Sequence, residues 1–112
     1  MKAMKTQRDK KASGAVTTKA GDLELDPVFL MLRHAEKTVD LTPCESRIIA
    51  CLMQNAGRPM PASELRLHAL GSRPIHPTTA LEKHICSIRK KIAAIGAATT
   101  IKTIRGQGYL MN

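Results

Sequence analysis

From Gly21 to Thr42 apolar and polar residues alternate in short runs: Leu23 and Leu25 lie between acids, Phe29 to Leu32 are apolar, and Val39 and Leu41 sit beside Thr38 and Asp40. A period of two is that of a half-buried strand. Asp26-Pro27 and the stretch His34 to Lys37 interrupt it, so a three-stranded antiparallel meander is predicted here. So small a sheet cannot stand alone and must pack its apolar face on helices.

After Thr42 the period lengthens to that of a helix. Thr42-Pro43-Cys44-Glu45 is a helix start. The Thr42 hydroxyl can accept from the Glu45 N–H, proline suits the first helical position, and Glu45 can reach back to complete a capping box. Ile48, Ile49, Leu52, Met53 and Ala56 then share one face, and Gly57 is the expected stop. Arg58-Pro-Met-Pro61 is extended, because a residue before proline is pushed out of helical geometry. A short second helix, about Ala62 to Leu70, turns Leu65, Ala69 and Leu70 inward, and residues 71–77, with two prolines, form a loop. The third helix, 78–95, has the cleanest period: Leu81, Ile85, Ile88, Ile92 and Ile95 recur at steps of four and three. The opposite face carries Thr79, Lys83, Cys86, Ser87 and Lys90, flanked by His84 and Lys91 on one side and by Glu82 and Arg89 on the other. Gly96 ends it, and Thr99 to Ile104 and Tyr109 to Met111 read as two strands joined through Arg105-Gly-Gln-Gly108, a turn whose glycines permit positive φ.

Residues 1–20 mix Lys, Thr, Ser, Gly and Ala without an apolar period, so a flexible basic tail is expected there, followed by one domain over residues 21–112. Apolar residues are 43% of the chain, but only Phe29 and Tyr109 are aromatic, which leaves the core to Leu, Ile, Met and Ala. Charge is uneven. Residues 1–19 hold six Lys or Arg against Asp9 alone, the middle is nearly neutral, and residues 83–112 hold six Lys or Arg against no acid, within a net charge of +9. Such asymmetry favours a polyanion as partner, because basic side chains that neutralise phosphates release condensed counterions.

Other chemistry finds little support. No apolar stretch approaches the roughly 18 residues of a membrane span, and no apolar run follows the charged N-terminus as in a secretory signal; a cytoplasmic, nucleoid-associated protein is expected. Cys44, Cys51 and Cys86 are odd in number and lack CxxC spacing, so they are expected to be small buried or half-buried apolar residues. There is no glycine-rich phosphate loop, GxSxG or HExxH. Asp22, Glu24 and Asp26 alternate along a strand, which points all three to solvent. His84 and Cys86 lie two apart on a helix and diverge by about 200°. Neither an enzyme nor a metal or cofactor site is expected.

Three helices, the third longest and basic, followed by a glycine-turned hairpin, describe a helix-turn-helix with a wing: an α+β fold in which a helix fits the major groove of DNA and a hairpin reaches the adjacent minor groove or its phosphates. The motifs that carry a family likeness are Leu41-Thr42-Pro43-x-Glu45, Asn55-x-Gly57-Arg58, Glu64-Leu65, Glu82-x-His84-Ile85-x-x-Ile88-Arg89-Lys90-Lys91-Ile92 and Ile101-x-Thr103-Ile104-Arg105-Gly106-x-Gly108-Tyr109. In this order they resemble the OmpR/PhoB-type winged-helix DNA-binding domain, the output domain of bacterial two-component response regulators.

The resemblance implies a four-stranded N-terminal sheet, with residues 58–61 as the fourth strand, and a sequence-specific regulator of transcription bound to double-stranded DNA. It implies that the third helix lies in the major groove, with Thr79, Lys83, His84 and Ser87 facing bases or phosphates and Arg89 on the backbone. Lys90 and Lys91 would extend that footprint. In the wing, residues 99–111, Thr103 and Tyr109 would touch phosphates and Arg105 would enter the minor groove. The 71–77 loop matches a segment that contacts RNA polymerase in such proteins, and homodimers on direct repeats are common among them.

Departures from the family pattern are expected to change the sequence preference. Thr79 and Ser87 stand where arginine is frequent, and Lys83 where an apolar residue is common. They also motivate a rival, a winged-helix adaptor that binds RNA polymerase or another regulator with little DNA readout. No phosphoacceptor receiver domain precedes the winged helix in these 112 residues. If they are the whole product, control falls to abundance, a partner or self-association.

Overall fold

Leu23 and Leu25 are inward-facing residues of a strand whose alternate positions, Glu24 and Asp26, are half-buried on the outer side. The computed structural model describes residues 18–70 and 79–111, and for residues 70, 79 and 80 the backbone alone. In it that strand, β2 (Leu23–Asp26), pairs with β1 (Thr18–Ala20) before it and β3 (Met31–His34) after it, and β4 (Lys37–Asp40) completes an antiparallel meander in sequence order. The register aligns Leu25 with Leu32 and Leu32 with Val39, a row that packs into the core. On the other face Lys19, Glu24 and Arg33 are aligned, and Arg33 bonds Glu24 at 2.5 Å.

Two expectations change here. The sheet has four strands because residues 18–20, read as tail, pair with β2; Ala20, buried opposite Leu23, contributes apolar area that a window of lysines and threonines conceals. Phe29, counted in an apolar run, is instead 67% exposed in the β2–β3 turn, where the Asp26 carboxylate accepts from the Val28 and Phe29 N–H groups at 2.9 and 3.0 Å.

Helix α1 (Pro43–Gln54) begins with the anticipated capping box: Glu45 N–H donates to the Thr42 hydroxyl at 3.2 Å, and Thr42 N–H donates to the Glu45 carboxylate at 2.8 Å. Its apolar face buries Ile48, Ile49, Leu52 and Met53, and the helix touches β1, β2, α2 (Ala62–Leu70), α3 (Thr79–Ala94) and the last strand. All layers therefore share one aliphatic core.

The C-terminal hairpin consists of β5 (Ile101–Ile104) and β6 (Gly108–Met111). Residues 58–61 do not join the N-terminal sheet. Met60 instead bridges Tyr109, donating its N–H to the Tyr109 carbonyl at 2.7 Å and accepting from the Tyr109 N–H at 3.0 Å. Gly57 N–H also donates to the Met111 carbonyl at 2.9 Å. The α1–α2 connection is thus sewn to the outer strand of the hairpin, which satisfies backbone groups that an edge strand leaves bare. Gly108 makes the seam possible: its φ is +127°, and a Cβ there would run into the Met60 carbonyl.

A second tie joins the sheet to the approach to β5. The Asp22 carboxylate accepts from Ala98 N–H at 2.7 Å and Thr99 N–H at 3.0 Å, while Asp22 N–H donates to the Thr99 hydroxyl at 3.1 Å. Asp22 is exposed, as alternation suggested, but its carboxylate is also tied within the molecule. The Ala98 N–H, helped by the hydroxyl and N–H of Thr99, brings its carboxyl from 3.8 down to about 2.

Two outcomes follow from these ties. Replacing Gly108 with Ala should lower the stability to chemical denaturation by more than about 1 kcal/mol, since the new Cβ meets backbone and the φ is unsuited to an L side chain. Because the folded Asp22 carboxyl is depressed, its contribution is complete above 3.8 and is lost as pH falls toward about 2. Melting temperature should accordingly decline across that window, and Asp22→Asn should melt lower at neutral pH with a shallower acid limb; an unchanged acid limb would count against the tie.

Candidate nucleic-acid interface

Helix α3 is oriented by its seam. Leu81, Ile85, Ile88, Ile92 and Ile95 are all at most 3% exposed, so the opposite face is turned out. Lys83, Cys86 and Lys90 form its exposed stripe at steps of three and four, with His84 half-buried to one side. Cys86 is thus outward, contrary to the expectation for the three cysteines; Cys44 is half-buried, and Cys51 is buried, its thiol pushed up by that burial and then by the charge of Glu64. The Thr79 side chain lies outside the described residues.

Four other candidates have partners within the molecule. Ser87 Oγ donates to Glu45 Oε2 at 2.5 Å, and Lys91 Nζ lies 2.6 Å from Glu45 Oε1. Both were expected to face DNA, but both are half-buried and drawn toward α1, because Glu45 is 2% exposed and needs compensation for its charge. Burial pushes the Glu45 carboxyl up, yet the bonds from Lys91, Ser87 and the Thr42 N–H outweigh it and leave the group below its ordinary value. On the other flank Arg89 Nε donates to the Ile101 carbonyl at 2.9 Å, and its Nη2 donates to the Thr103 hydroxyl at 2.8 Å. Arg89 and Thr103, both assigned to DNA from the resemblance, thus brace the helix against the hairpin, although Thr103 itself stays exposed.

Arg105 stands exposed at the hairpin turn, and Lys102 is exposed on β5. Tyr109 is half-buried and packs against the core, paired across the hairpin with Thr103. The sequence reading missed the second role of Glu45. Its place in the capping box accounted for the residue fully, and no local pattern links it to Ser87 and Lys91, more than 40 positions away. Lys102 was legible, since alternation puts it opposite Ile101.

A basic stripe on the last helix, braced beside a hairpin with a cationic tip, is the arrangement of a winged helix-turn-helix. The family model for the C-terminal domain of transcriptional regulatory proteins matches residues 36–111. The chain belongs to this family. Its members are OmpR/PhoB-type domains, and response regulators stand among the relatives: MprA of Mycobacterium ulcerans is 29% identical over 103 residues, covering 92% of this chain and 44% of MprA. The chain thus spans less than half the length of that relative. Among solved structures, the DNA-binding domain of CpxR from E. coli has a TM-score of 0.71 at 29% identity, covering 86% of this chain and 95% of CpxR's. The DNA-binding domain of RstA from Klebsiella pneumoniae, solved in complex with the RstA box, has a TM-score of 0.68 at 28% identity and covers 85% of this chain and 95% of RstA's.

As an OmpR/PhoB-type domain the chain depends on the buried seam of α3 for the placement of its outward face. Truncating the seam tests the phase of α3 directly: Ile88→Ala should destabilise the domain by about 2–5 kcal/mol through a core cavity, measured by denaturant titration. Wild-type stability in that variant would mean the stripe and the seam have been exchanged.

Proposed function

We propose that this chain is a DNA-reading module of a transcription regulator, with α3 in the major groove and the hairpin wing at the minor groove and backbone. The observation that carries the reading is the exposed Lys83–Cys86–Lys90 stripe beside an exposed Arg105 at the wing turn, in a C-terminal third that holds no acid after Glu82. A helix of this girth fits the major groove, and a cationic tip is drawn to the negative potential of a narrow A·T minor groove. The DNA-binding domain of RstA, of the same fold, is solved on its own DNA box, which supports duplex DNA as the ligand.

Within this reading Lys83 and Lys90 contact phosphates or bases, His84 reaches the groove edge, and Arg105 enters the minor groove. Thr79 keeps the base-facing role that the resemblance implies. Ser87, Lys91 and Arg89 act at one remove, through Glu45 and the wing. Thr103, exposed, and Tyr109, half-buried, keep the phosphate-contacting role that the resemblance implies. Contact between the 71–77 loop and RNA polymerase, and homodimerisation on direct repeats, are proposals that rest on the resemblance; the loop lies outside the described residues, as do residues 1–17 of the basic tail. Function in the cytoplasm on the nucleoid is likewise proposed. No helix of the described residues is long and apolar enough to cross a membrane.

A gel-shift titration of the chain against random duplex DNA, and against duplexes it selects from a randomised pool, at several salt concentrations tests the reading. A preferred site and a steep loss of affinity with salt are expected, whereas weak, uniform binding would favour the adaptor. Arg105→Ala should weaken binding to the selected site by about 1–3 kcal/mol. Lys90→Ala should weaken binding to all sequences and reduce the salt slope by about one; an unchanged slope would remove Lys90 from the phosphate footprint.

A further inference from the structure

We propose that Lys91 and Glu45 are a positioning pair for base readout: the buried carboxylate of the α1 capping box sets the rotation of α3 about its own axis, and Lys91 acts through it instead of on DNA. The inference rests on the DNA-reading role proposed above and specifies how this chain sets its reading helix.

Glu45 is fixed before it meets α3. Its Oε1 accepts from the Thr42 N–H at 2.8 Å within the capping box, so the carboxylate moves with the first turn of α1. The same oxygen takes Lys91 Nζ at 2.6 Å, and Oε2 takes Ser87 Oγ at 2.5 Å. Ser87 and Lys91 are four residues apart and lie one above the other on one flank of α3, so two contacts to a single rigid group resist rotation where one would act as a pivot. On the opposite flank Arg89 is tied to the Ile101 carbonyl and the Thr103 hydroxyl. The Lys83–Cys86–Lys90 stripe lies between these two struts.

An aliphatic seam does not hold a helix this closely. Hydrophobic burial is non-directional: it selects which face of the helix is buried, whereas the last degrees of rotation also depend on the polar bonds at its flanks. With side chains extending about 5–6 Å from the helix axis, a 20° rotation moves a reading atom by about 2 Å. That exceeds the tolerance of a base-edge hydrogen bond. Directional charged bonds at the flanks are the features here that fix the angle. Lys91 is poorly suited to a phosphate contact as well. Its departure would strand the charge of a carboxylate that is 2% exposed, a loss larger than one solvent-screened phosphate contact returns.

The test uses the chain with Lys91→Met, with Lys91→Arg, and with the double change Glu45→Gln/Lys91→Met, which removes both charges and leaves no unpaired ion. Affinity is titrated on a duplex selected by the wild-type chain from a randomised pool and on a random duplex, at several salt concentrations, with melting followed in parallel. For a positioning pair, Lys91→Met reduces the selected-to-random affinity ratio by about tenfold or more, the worth of one good base contact. Its salt slope on random duplex stays at the wild-type value, and Lys91→Arg restores the ratio. If Lys91→Met does not fold, the double variant carries the same comparison.

A salt slope lowered by about one with the ratio intact would make Lys91 a phosphate contact and overturn the proposal. A double variant that melts with the wild type and keeps the full ratio would reduce the pair to a stabilising contact and also overturn it. A wild-type chain with no preferred site would remove the DNA-reading role itself and this inference with it, an outcome told apart from the other two by the wild-type titration alone.

Discussion

The burial of one aliphatic stripe on α3 is the constraint from which the rest of the structure follows. Leu81, Ile85, Ile88, Ile92 and Ile95 must leave water together, and a helix has only one orientation in which they do so. That orientation turns Lys83, Cys86 and Lys90 outward. The reading face is therefore defined by what lies behind it. With no tryptophan and one phenylalanine, which stands in solvent, the opposing surface is built from Leu, Ile and Met of α1, α2 and the sheet.

Polar contacts refine what burial leaves loose. Each end of the C-terminal unit is tied by groups with direction. Glu45 joins the start of α1 to one flank of α3, Arg89 joins the other flank to β5, and Met60 and Gly57 join the α1–α2 connection to β6. The helix and the wing consequently share a frame, as they must if both are to meet one duplex. The cost is measured in cations. Four of the basic or hydroxyl groups that were candidates for DNA contact, Ser87, Arg89, Lys91 and Thr103, are engaged within the molecule, so the free positive charge is concentrated in fewer positions than the sequence suggests.

The N-terminal sheet takes part in the same frame through the Asp22 carboxylate, which holds the Ala98 and Thr99 amides that precede β5. The tie holds the β1–β2 turn against the stretch where α3 ends and the wing begins. The chain spans 44% of MprA.

Much of this was legible in the residues. Helix α1 and its cap, the phase of α3, the glycine turn and the charge of the last third follow from period and local chemistry, because each is decided within a few residues of the position it concerns. The limits of the N-terminal sheet were not. Residues 18–20 have no strand signal of their own and become a strand only because β2 offers an edge, and Met60 pairs with Tyr109 instead of with that sheet. The same distinction separates the candidates on α3. Sequence alone determined which side chains lie on the outward half of the helix; tertiary structure decided which of them are free, because the competing partners Glu45, Ile101 and Thr103 reach α3 only after the chain has folded back on itself. Long-range pairing of charges leaves no period in a sequence, whereas burial of a helix face does.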